Sequence, residues 1–323
     1  MDAKSQVLVG DVGGTHARFA IVDTSARPFA VLHRLELNDD SFVTFNEAIK
    51  AYLDRAGIAR PDAVALAVAG PVTDGKVKFT NRGWEMSESE LRSVGFAHAL
   101  LINDFGALAF VLPDLKGEQL QSIGTDVSGL EGAPVTVLGA GTGFGVACLA
   151  RYRGRSVPVA TEGGHMSWAP RGDTERAVLG VLEKRLGHVS VERVVSGPGL
   201  ENIYAALAEI AGQKADDLSA EEITKRGEAD KGLCRDALDL FCSAYGAVAG
   251  DFALAHGARG GVYIAGGIAG KIEDYLARSQ FRARFEDKGR LSYYVQPIPT
   301  KLIVEENAAF LGAAHASLEF RDD

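Results

Sequence analysis

The sequence predicts an α/β fold built from two related domains, and three observations support this prediction. Short apolar runs of strand length alternate with segments whose apolar residues recur at helical spacing, which is typical of sheets flanked by helices. A Gly-rich turn between two strands occurs twice, because laying Thr142 over Thr15 also lays Gly141 over Gly14, 127 residues further along the chain. With 323 residues, the chain is long enough for two such domains.

The first half of the chain supplies the elements of one sheet in order. Residues 6–22 are predicted to form two strands, with apolar residues on both sides of a Gly-rich turn. Apolar residues at helical spacing predict a helix over 42–53, which Gly57 closes. The runs 63–69 and 99–102 read as strands buried within a sheet.

The second half begins with the repeated hairpin and is richer in helices. Residues 135–150 are predicted to form two strands around the second turn, and 234–256 a helix. The sequence from Ser219 to Glu222 fits a capping box. Strands are predicted at 262–265 and 302–304, and a final helix rich in small residues at 305–318.

Composition and charge disfavour several classes of protein. The net charge of −9 and the absence of a Lys/Arg run disfavour a nucleic-acid-binding protein. The N-terminus lacks the features of a signal peptide, and apolar runs such as 63–69 are too short to span a bilayer, so no membrane partner is expected. The three cysteines, Cys148, Cys234 and Cys242, are too scattered for a disulfide framework or a metal site, and we expect a cytoplasmic location.

The two Gly-rich turns are candidate phosphate-binding sites. The first lacks the Lys-Ser/Thr of a Walker loop, and a strand follows it where a dinucleotide fingerprint has a helix. Glycines in such a turn let backbone N–H groups approach an anion, while Thr15 adds a hydroxyl donor and Asp11 a carboxylate for Mg²⁺. The alternative is a hairpin turn that binds no ligand. The candidate residues are Gly10, Asp11, Val12, Gly13, Gly14 and Thr15 in the first turn, and Gly139, Gly141, Thr142 and Gly143 in the second.

Polar residues elsewhere are candidates for substrate contacts. Asp104 follows a buried strand, where a carboxylate could take the proton of an attacking hydroxyl, and Asn103 matches a sugar hydroxyl; both could instead cap the next helix. Glu162 and His165 flank two glycines and could converge on one polar ligand. Glu192 could join them or be a solvated carboxylate at a helix end. Gly266 and Gly267, at the exit of a strand, could allow a purine to lie against backbone or could simply form a turn.

Taken together, the motifs resemble those of the bacterial glucokinase family of the proteobacterial and cyanobacterial type. The resemblance covers nearly the whole chain, in the family's order: LVGDVGGTHARFAIV, AVAGPV, FTNRGW, LLINDFGALAF, LGAGTGFGVA, TEGGHMSWAP, GHVSVERVVSGPGLENIY, YIAGGIAGKI and ENAAFLGAA. One departure is His16, where many relatives carry Asn. The resemblance implies two ribonuclease-H-like, actin-like domains with a ligand cleft between them.

The resemblance also implies an activity, namely ATP-dependent phosphorylation of glucose on its 6-hydroxyl, the entry step of glycolysis, with Mg²⁺. Asp104 would be the general base, and the sugar contacts would be Asn103, Glu162, His165 and Glu192. The two turns would bind the phosphates of ATP, with Gly266 and Gly267 near its adenosine. The implied small domain is 1–112 with 305–323, the large domain is 113–304, and the implied assembly is a homodimer.

Two alternatives remain open at this point. A related hexose or N-acetylhexosamine kinase would share both turns, although the sugar kinases of the ROK family typically add a Cys-rich zinc motif after the Glu-Gly-His pattern. No Cys follows His165 in MSWAPRGDTERA. A sugar-sensing transcriptional regulator on the same scaffold would need a DNA-binding segment, and the nine residues before Gly10 are too few for a helix-turn-helix.

Overall fold

The computed structural model describes residues 5–13, 16–38, 42, 44–78, 85–153, 155–229 and 232–320. The chain folds into two compact units. The first unit comprises Met1–Leu115 and Glu305–Asp323, and the second unit comprises Lys116–Val304.

The secondary structure alternates between strands and helices, which confirms the predicted α/β class. The strands are β1 Gln6–Val12, β2 His16–Asp23, β3 Ala30–Asn38, β4 Ala63–Val68, β5 Lys76–Lys78, β6 Glu85–Ser87, β7 His98–Asn103, β8 Leu120–Ser122, β9 Val135–Ala140, β10 Phe144–Tyr152, β11 Arg155–Thr161, β12 Gly261–Ala265 and β13 Thr300–Ile303. The helices are α1 Phe45–Ala56, α2 Glu88–Ser93, α3 Asp104–Val111, α4 Gly172–Leu186, α5 Gly197–Ile210, α6 Ala220–Ala229, α7 Leu233–Ala255, α8 Gly267–Lys271, α9 Glu273–Arg278, α10 Phe281–Glu286, α11 Ser292–Val295 and α12 Ala308–Glu319.

The main sheets of the two units share one topology. The first has the order β3-β2-β1-β4-β7, and the second has the order β11-β10-β9-β12-β13 with β8 added at its edge. In both sheets the hairpin pairs are antiparallel, and the two strands that follow are parallel to the first strand of the hairpin. The internal repetition suggested by the two Gly-rich turns therefore extends to the whole strand order.

The two hairpins differ by one residue in the length of their turns. The innermost pair of the first hairpin is Val12–Ala17, which encloses four residues. The innermost pair of the second is Ala140–Phe144, which encloses three. Aligned from these pairs, Asp11 and Arg18 of the first hairpin correspond to Gly139 and Gly145 of the second.

Local sequence signals explain where the best-predicted helix begins and ends. Thr44 is the N-cap of α1 and forms a capping box with Glu47, while Gly57 ends the helix in the left-handed conformation with φ of 64°. The predicted start at Phe42 was too early, because the cap lies at Thr44. In the second unit, α5 begins at Gly197-Pro198-Gly199, a run that the sequence analysis did not identify as helical.

Each unit has its own apolar core. In the first unit, large residues of the hairpin and of α1 pack together, among them Phe19 and Tyr52, whose ring centroids are 5.4 Å apart. In the second unit, Tyr245 of α7 lies between Phe144 and Phe281, at centroid distances of 6.0 and 5.5 Å. Burying an aromatic side chain of this kind contributes about 1.5–3 kcal/mol.

Helix α7 has 23 residues and is apolar enough, by length and composition alone, to cross a bilayer. This helix was predicted over 234–256, but its capacity to span a bilayer was not noted, because only continuous apolar runs were considered. Of its most apolar window, 78% is buried inside the protein. This burial is typical of the central helix of a folded domain, because the apolar surface is already covered by protein.

Helix α12 packs within the first unit against α3, β1 and β4. Its small residues allow a close approach to α3. A Cβ atom on Gly312 would lie only 2.0 Å from the carbonyl oxygen of Ala107, so only glycine fits at this crossing. The contact supports the helix that carries Asp104.

Candidate active site

Asn103 and Asp104 lie at the junction of β7 and α3. Asn103 is the N-cap of the helix, because its side-chain oxygen accepts the backbone N–H of Gly106 at 3.1 Å. Its amide nitrogen donates to Asp104 Oδ1 at 3.0 Å and to the carbonyl of Gly70 at 3.3 Å. The capping role considered as an alternative is therefore present, and the helix begins at Asp104.

The carboxylate of Asp104 is oriented by two donors. Besides the amide of Asn103, the backbone N–H of Phe105 donates to Oδ1 at 2.9 Å. The side chain is half-buried at the carboxyl end of a parallel strand, the edge at which open α/β sheets bind ligands. This arrangement fixes the direction of a carboxylate that can take a proton from a bound hydroxyl.

The first Gly-rich turn is shorter than the predicted segment 10–15. Gly10 and Val12 lie within β1 and are buried, and a Cβ atom on Gly10 would be 2.7 Å from Leu66 Cδ2, so this glycine serves the packing of the sheet. Gly13 is half-buried where the turn begins. Gly14 and Thr15 lie outside the described residues. The phosphate-binding role of this turn stays a prediction.

Asp11 forms an ion pair with Arg18, which lies opposite it on β2. Asp11 was among the candidate site residues, and Arg18 was not. The signal was available, since a hairpin centred on the Gly-rich turn pairs position 11 with position 18. The pair places one negative and one positive group at the end of the strands beside the turn.

The second Gly-rich turn is held by hydrogen bonds on several sides. The N–H of Gly141 donates to the carbonyl of Gly143 at 2.9 Å, and the N–H of Gly197, at the start of α5, donates to the carbonyl of Gly141 at 2.8 Å. From the core, Tyr245 Oη accepts the N–H of Ala140 at 3.3 Å. Gly139 lies in β9, and Thr142 is exposed at the tip. The turn is therefore an ordered feature that presents a small exposed tip.

Gly266 and Gly267 lie beside this second turn. Gly266 has a φ of 90°, and a Cβ atom on it would be 2.5 Å from the carbonyl oxygen of Ala140, so glycine is required both by conformation and by space. Gly267 begins α8, and a Cβ atom there would have nothing within 4 Å. Both residues are exposed, which leaves a bare stretch of backbone against which a flat ring can lie.

Glu162 and His165 flank a single 3₁₀ turn, Gly163–His165. Their side chains are 65% and 64% exposed, with Glu162 Oε2 3.9 Å from His165 Nε2. The two glycines between them are buried, and a Cβ atom on Gly164 would lie 2.3 Å from the carbonyl oxygen of Phe144. The glycines thus let the turn pack onto β10 while the acid and the imidazole face outward.

Glu192 connects this turn with the second Gly-rich turn. Its backbone N–H donates to the carbonyl of Gly164 at 2.9 Å, and its Oε2 accepts the N–H of Phe144 at 2.9 Å. Ser196, the N-cap of α5, donates from Oγ to the carbonyl of Glu192 at 2.6 Å. Glu192 is therefore not the solvated helix-end carboxylate considered as an alternative, because its carboxylate is bonded to backbone.

Within the second unit, the residues predicted to bind the sugar lie beside the residues predicted to bind ATP. The groups that lie along this continuous set of contacts are Glu162, His165, Glu192, Gly139, Gly141, Thr142, Gly143, Gly266 and Gly267. Phe144 and Tyr245, which the sequence analysis did not single out, hold this set together through the N–H groups of the turn.

The residues present are compatible with Mg²⁺ bound together with a polyphosphate. Within the part of the chain that the structure describes, no group of three or more His, Cys, Asp or Glu side chains is placed to hold a metal ion. Mg²⁺ in phosphoryl-transfer sites commonly takes one or two protein carboxylates and completes its shell with phosphate oxygens and water. Asp11 places one carboxylate beside the first turn, where it pairs with Arg18.

The chain is similar to known proteins over nearly its whole length. The Glucokinase family profile matches residues 8–319. A glucokinase of Caulobacter sp. (strain K31) is 46% identical over 310 residues, which cover 96% of this chain and 94% of that protein.

Solved structures give the same result. The crystal structure of a glucokinase from an Antarctic psychrotroph superposes with a TM-score of 0.89 at 37% identity, covering 97% of this chain and 99% of that chain. A ROK family glucokinase from Streptomyces griseus, in complex with glucose and AMPPNP, has a TM-score of 0.63 at 19% identity, covering 96% and 98%. The second similarity extends the shared fold to a more distant group of kinases.

Proposed function

The chain belongs to the glucokinase family, and from that membership we propose how its residues carry out the reaction. The protein is an ATP-dependent glucokinase, which transfers the terminal phosphoryl group of ATP to the 6-hydroxyl of D-glucose and forms glucose 6-phosphate and ADP. The observation that carries the assignment of residues is the carboxylate of Asp104, oriented by two donors where β7 ends.

Asp104 acts as the general base. As the 6-hydroxyl oxygen attacks the γ-phosphorus, Asp104 accepts the hydroxyl proton, and the bond from the γ-phosphorus to its bridging oxygen breaks to release ADP. The Asn103 amide and the Phe105 N–H both donate to Oδ1 and so keep the carboxylate in one orientation. A fixed base is effective because the barrier includes no cost for turning it toward the hydroxyl.

Asn103, Glu162, His165 and Glu192 bind the remaining hydroxyls of the sugar. Carboxylates are strong acceptors for hydroxyl groups, and each group that reads a hydroxyl is left unpaired by the wrong epimer. The exposed side chains of Glu162 and His165, together with Glu192 one hydrogen bond away from their turn, support this role.

The two Gly-rich turns bind the phosphates of ATP, and Gly266 and Gly267 lie against its adenosine. Support comes from the second turn, where Gly141 and Thr142 form an ordered tip and the bare backbone of Gly266 lies against Ala140. Asp11 would hold Mg²⁺ beside the first turn. When bound, Mg²⁺ supplies neutralisation of the charge on the transferred phosphoryl group.

The division into a small domain of 1–112 with 305–323 and a large domain of 113–304 stays part of the proposal, as do a homodimeric state and a cytoplasmic location. Reduced thiols suit that location, and Cys148, Cys234 and Cys242 are free.

The test is ADP release from the purified protein with ATP, Mg²⁺ and one sugar at a time. Glucose should give the highest kcat/KM, with mannose, fructose and N-acetylhexosamines well below it. If an N-acetylhexosamine gave the highest value, the related sugar kinase would be the correct assignment. If no sugar released ADP, while sugar binding persisted, a sensor on the same scaffold would be indicated.

A further inference from the structure

The carboxylate of Glu192 lies directly over Gly143. A Cβ atom on Gly143 would be 3.4 Å from Glu192 Cδ and only 2.6 Å from Glu192 Oε2. The second distance is shorter than a carboxylate oxygen and a methyl group can approach. The backbone of Gly143 is not in the left-handed region, since Gly143 is absent from the glycines with positive φ. The glycine is therefore explained by the space that the carboxylate occupies, and not by the conformation of the turn.

One residue further on, the same carboxylate is bonded to the chain. Glu192 Oε2 accepts the N–H of Phe144 at 2.9 Å. A hydrogen bond to an ionised acceptor is shorter and stronger than one between neutral groups, and this one fixes the position of Oε2. The other oxygen, Oε1, is then the atom that can accept from a bound hydroxyl.

Phe144 is itself held firmly in the second unit. Its ring packs against Tyr245 and Phe252, at centroid distances of 6.0 and 6.3 Å. Its carbonyl oxygen lies against Gly164, in the turn between Glu162 and His165. The N–H that donates to Glu192 therefore belongs to a rigid part of the core. A donor that orients a substrate-binding group has to be rigid in this way.

We propose that Gly143 is a positioning residue for the sugar: the absence of a side chain there lets the Glu192 carboxylate bind the Phe144 N–H and present its second oxygen to the substrate. This inference rests on the proposed role of Glu192 in sugar binding. It gives the glycine that ends the second phosphate turn a role in recognition of the sugar, separate from the binding of ATP.

Gly141, in the same turn, provides a matched control. A Cβ atom on Gly141 would have nothing within 4 Å, and its φ is likewise not positive. Gly141→Ala and Gly143→Ala thus add the same methyl group two residues apart, and only the second displaces the Glu192 carboxylate.

The experiment measures glucose affinity by calorimetry in the absence of nucleotide, for wild type, Gly141→Ala, Gly143→Ala, Glu192→Gln and the double variant Gly143→Ala/Glu192→Gln. We expect Gly143→Ala to raise the Kd for glucose by ~10-fold or more, the effect of losing a hydrogen bond to a charged group. Gly141→Ala should change this Kd by less than ~2-fold, and its effect should fall on the KM for ATP. If Gly143 acts through Glu192, the effects of the two substitutions are not additive. The Kd of the double variant for glucose should then be about the same as that of the single variant with the higher Kd.

The outcomes separate the inference from the proposed function. If Glu192→Gln leaves the Kd for glucose unchanged, Glu192 does not bind the sugar, and the proposed role itself fails. If Glu192→Gln weakens binding while Gly143→Ala behaves like Gly141→Ala, or if the fold-changes multiply in the double variant, the inference about Gly143 is wrong and the role of Glu192 stands.

A second measurement applies if Gly143→Ala does not fold. Amide hydrogen exchange at Phe144 should be slow in wild type and faster in Glu192→Ala, with a parallel loss of glucose affinity. Unchanged protection of the Phe144 amide would show that the carboxylate does not hold this N–H in solution, and would overturn the inference.

Discussion

Replacement of Asp104 by Asn separates the chemistry of this position from its structural role. The asparagine oxygen can still accept the N–H of Phe105 and the amide of Asn103, which donate to Oδ1 at 2.9 and 3.0 Å. The negative charge and the ability to take a proton are lost, and one acceptor oxygen is replaced by an NH₂ donor. Loss of a negative charge at a helix N-terminus costs about 0.3–1 kcal/mol of folding free energy, so the variant should stay folded. Loss of a general base lowers turnover by about 10² to 10⁴, which is about 2.7–5.5 kcal/mol of barrier.

The assay follows ADP release at saturating ATP and glucose, with glucose affinity measured separately by calorimetry. We expect kcat to fall by at least ~100-fold, while the Kd for glucose changes little. Glu47→Gln is the matched control, because Glu47 is also a carboxylate in the first turn of a helix of the first unit and its side chain accepts a backbone N–H. Its kcat should equal that of wild type. If Asp104→Asn kept a kcat within a few-fold of wild type, Asp104 would not be the base.

Three further results are expected. Glu162→Gln and His165→Ala should each weaken glucose binding and narrow the gap between glucose and its epimers, with the KM for ATP little changed; loss of ATP affinity alone would place this turn on the nucleotide side. Chelation of Mg²⁺ should abolish turnover without lowering the melting temperature, and metal analysis should find no stoichiometric zinc; one zinc per chain would contradict the prediction that Mg²⁺, and not a structural transition metal, is the required ion. His256 Nδ1 lies 2.9 Å from Thr136 Oγ1, and burial lowers the pKa of this imidazole in the folded protein. As the pH falls, His256 is therefore protonated at a higher pH in the unfolded chain than in the folded protein. The contribution of His256 to stability is present above about pH 6.5 and is lost as the pH falls through its folded pKa, so His256→Gln should flatten the loss of unfolding free energy between about pH 7 and 5; an unchanged slope would refute this.

The parts of the fold that the sequence predicted well are those with a local signal. The helix from Phe45 was found because its apolar spacing and its terminal Gly57 agree, although the Thr44 cap was not identified and the predicted start at Phe42 was too early. Helix α5 was missed because Gly197-Pro198-Gly199 has the composition of a turn. In the structure Ser196 caps this helix, and Gly199 packs so closely that a Cβ atom would lie 2.5 Å from the backbone of Val194. Val194 and Gly199 are only five residues apart, so this contact is local, and Ser196 as N-cap with Pro198 in the first turn was a local helix signal that the turn-like composition obscured.

The candidate site shows a limit of another kind. The residue types and their motifs identified Glu192, but its partner, the N–H of Phe144, lies 48 residues away in the chain and carries no side-chain signal. Gly10 and Gly143 look alike in sequence. The structure separates them, because a Cβ atom would meet Leu66 at the first and a carboxylate at the second. A glycine reports that space is needed, and only the fold shows what occupies that space.

The position of α12 has a consequence for protein synthesis. This helix is translated after the whole of the second unit, yet its buried residues, such as Phe310 and Ala313, complete the core of the first. Domains generally fold as units while the chain emerges, so the second unit can finish folding while the first still lacks a helix. Because Gly312 lies against Ala107 of the helix that begins at Asp104, a nascent chain that stops short of α12 leaves the proposed base without its support.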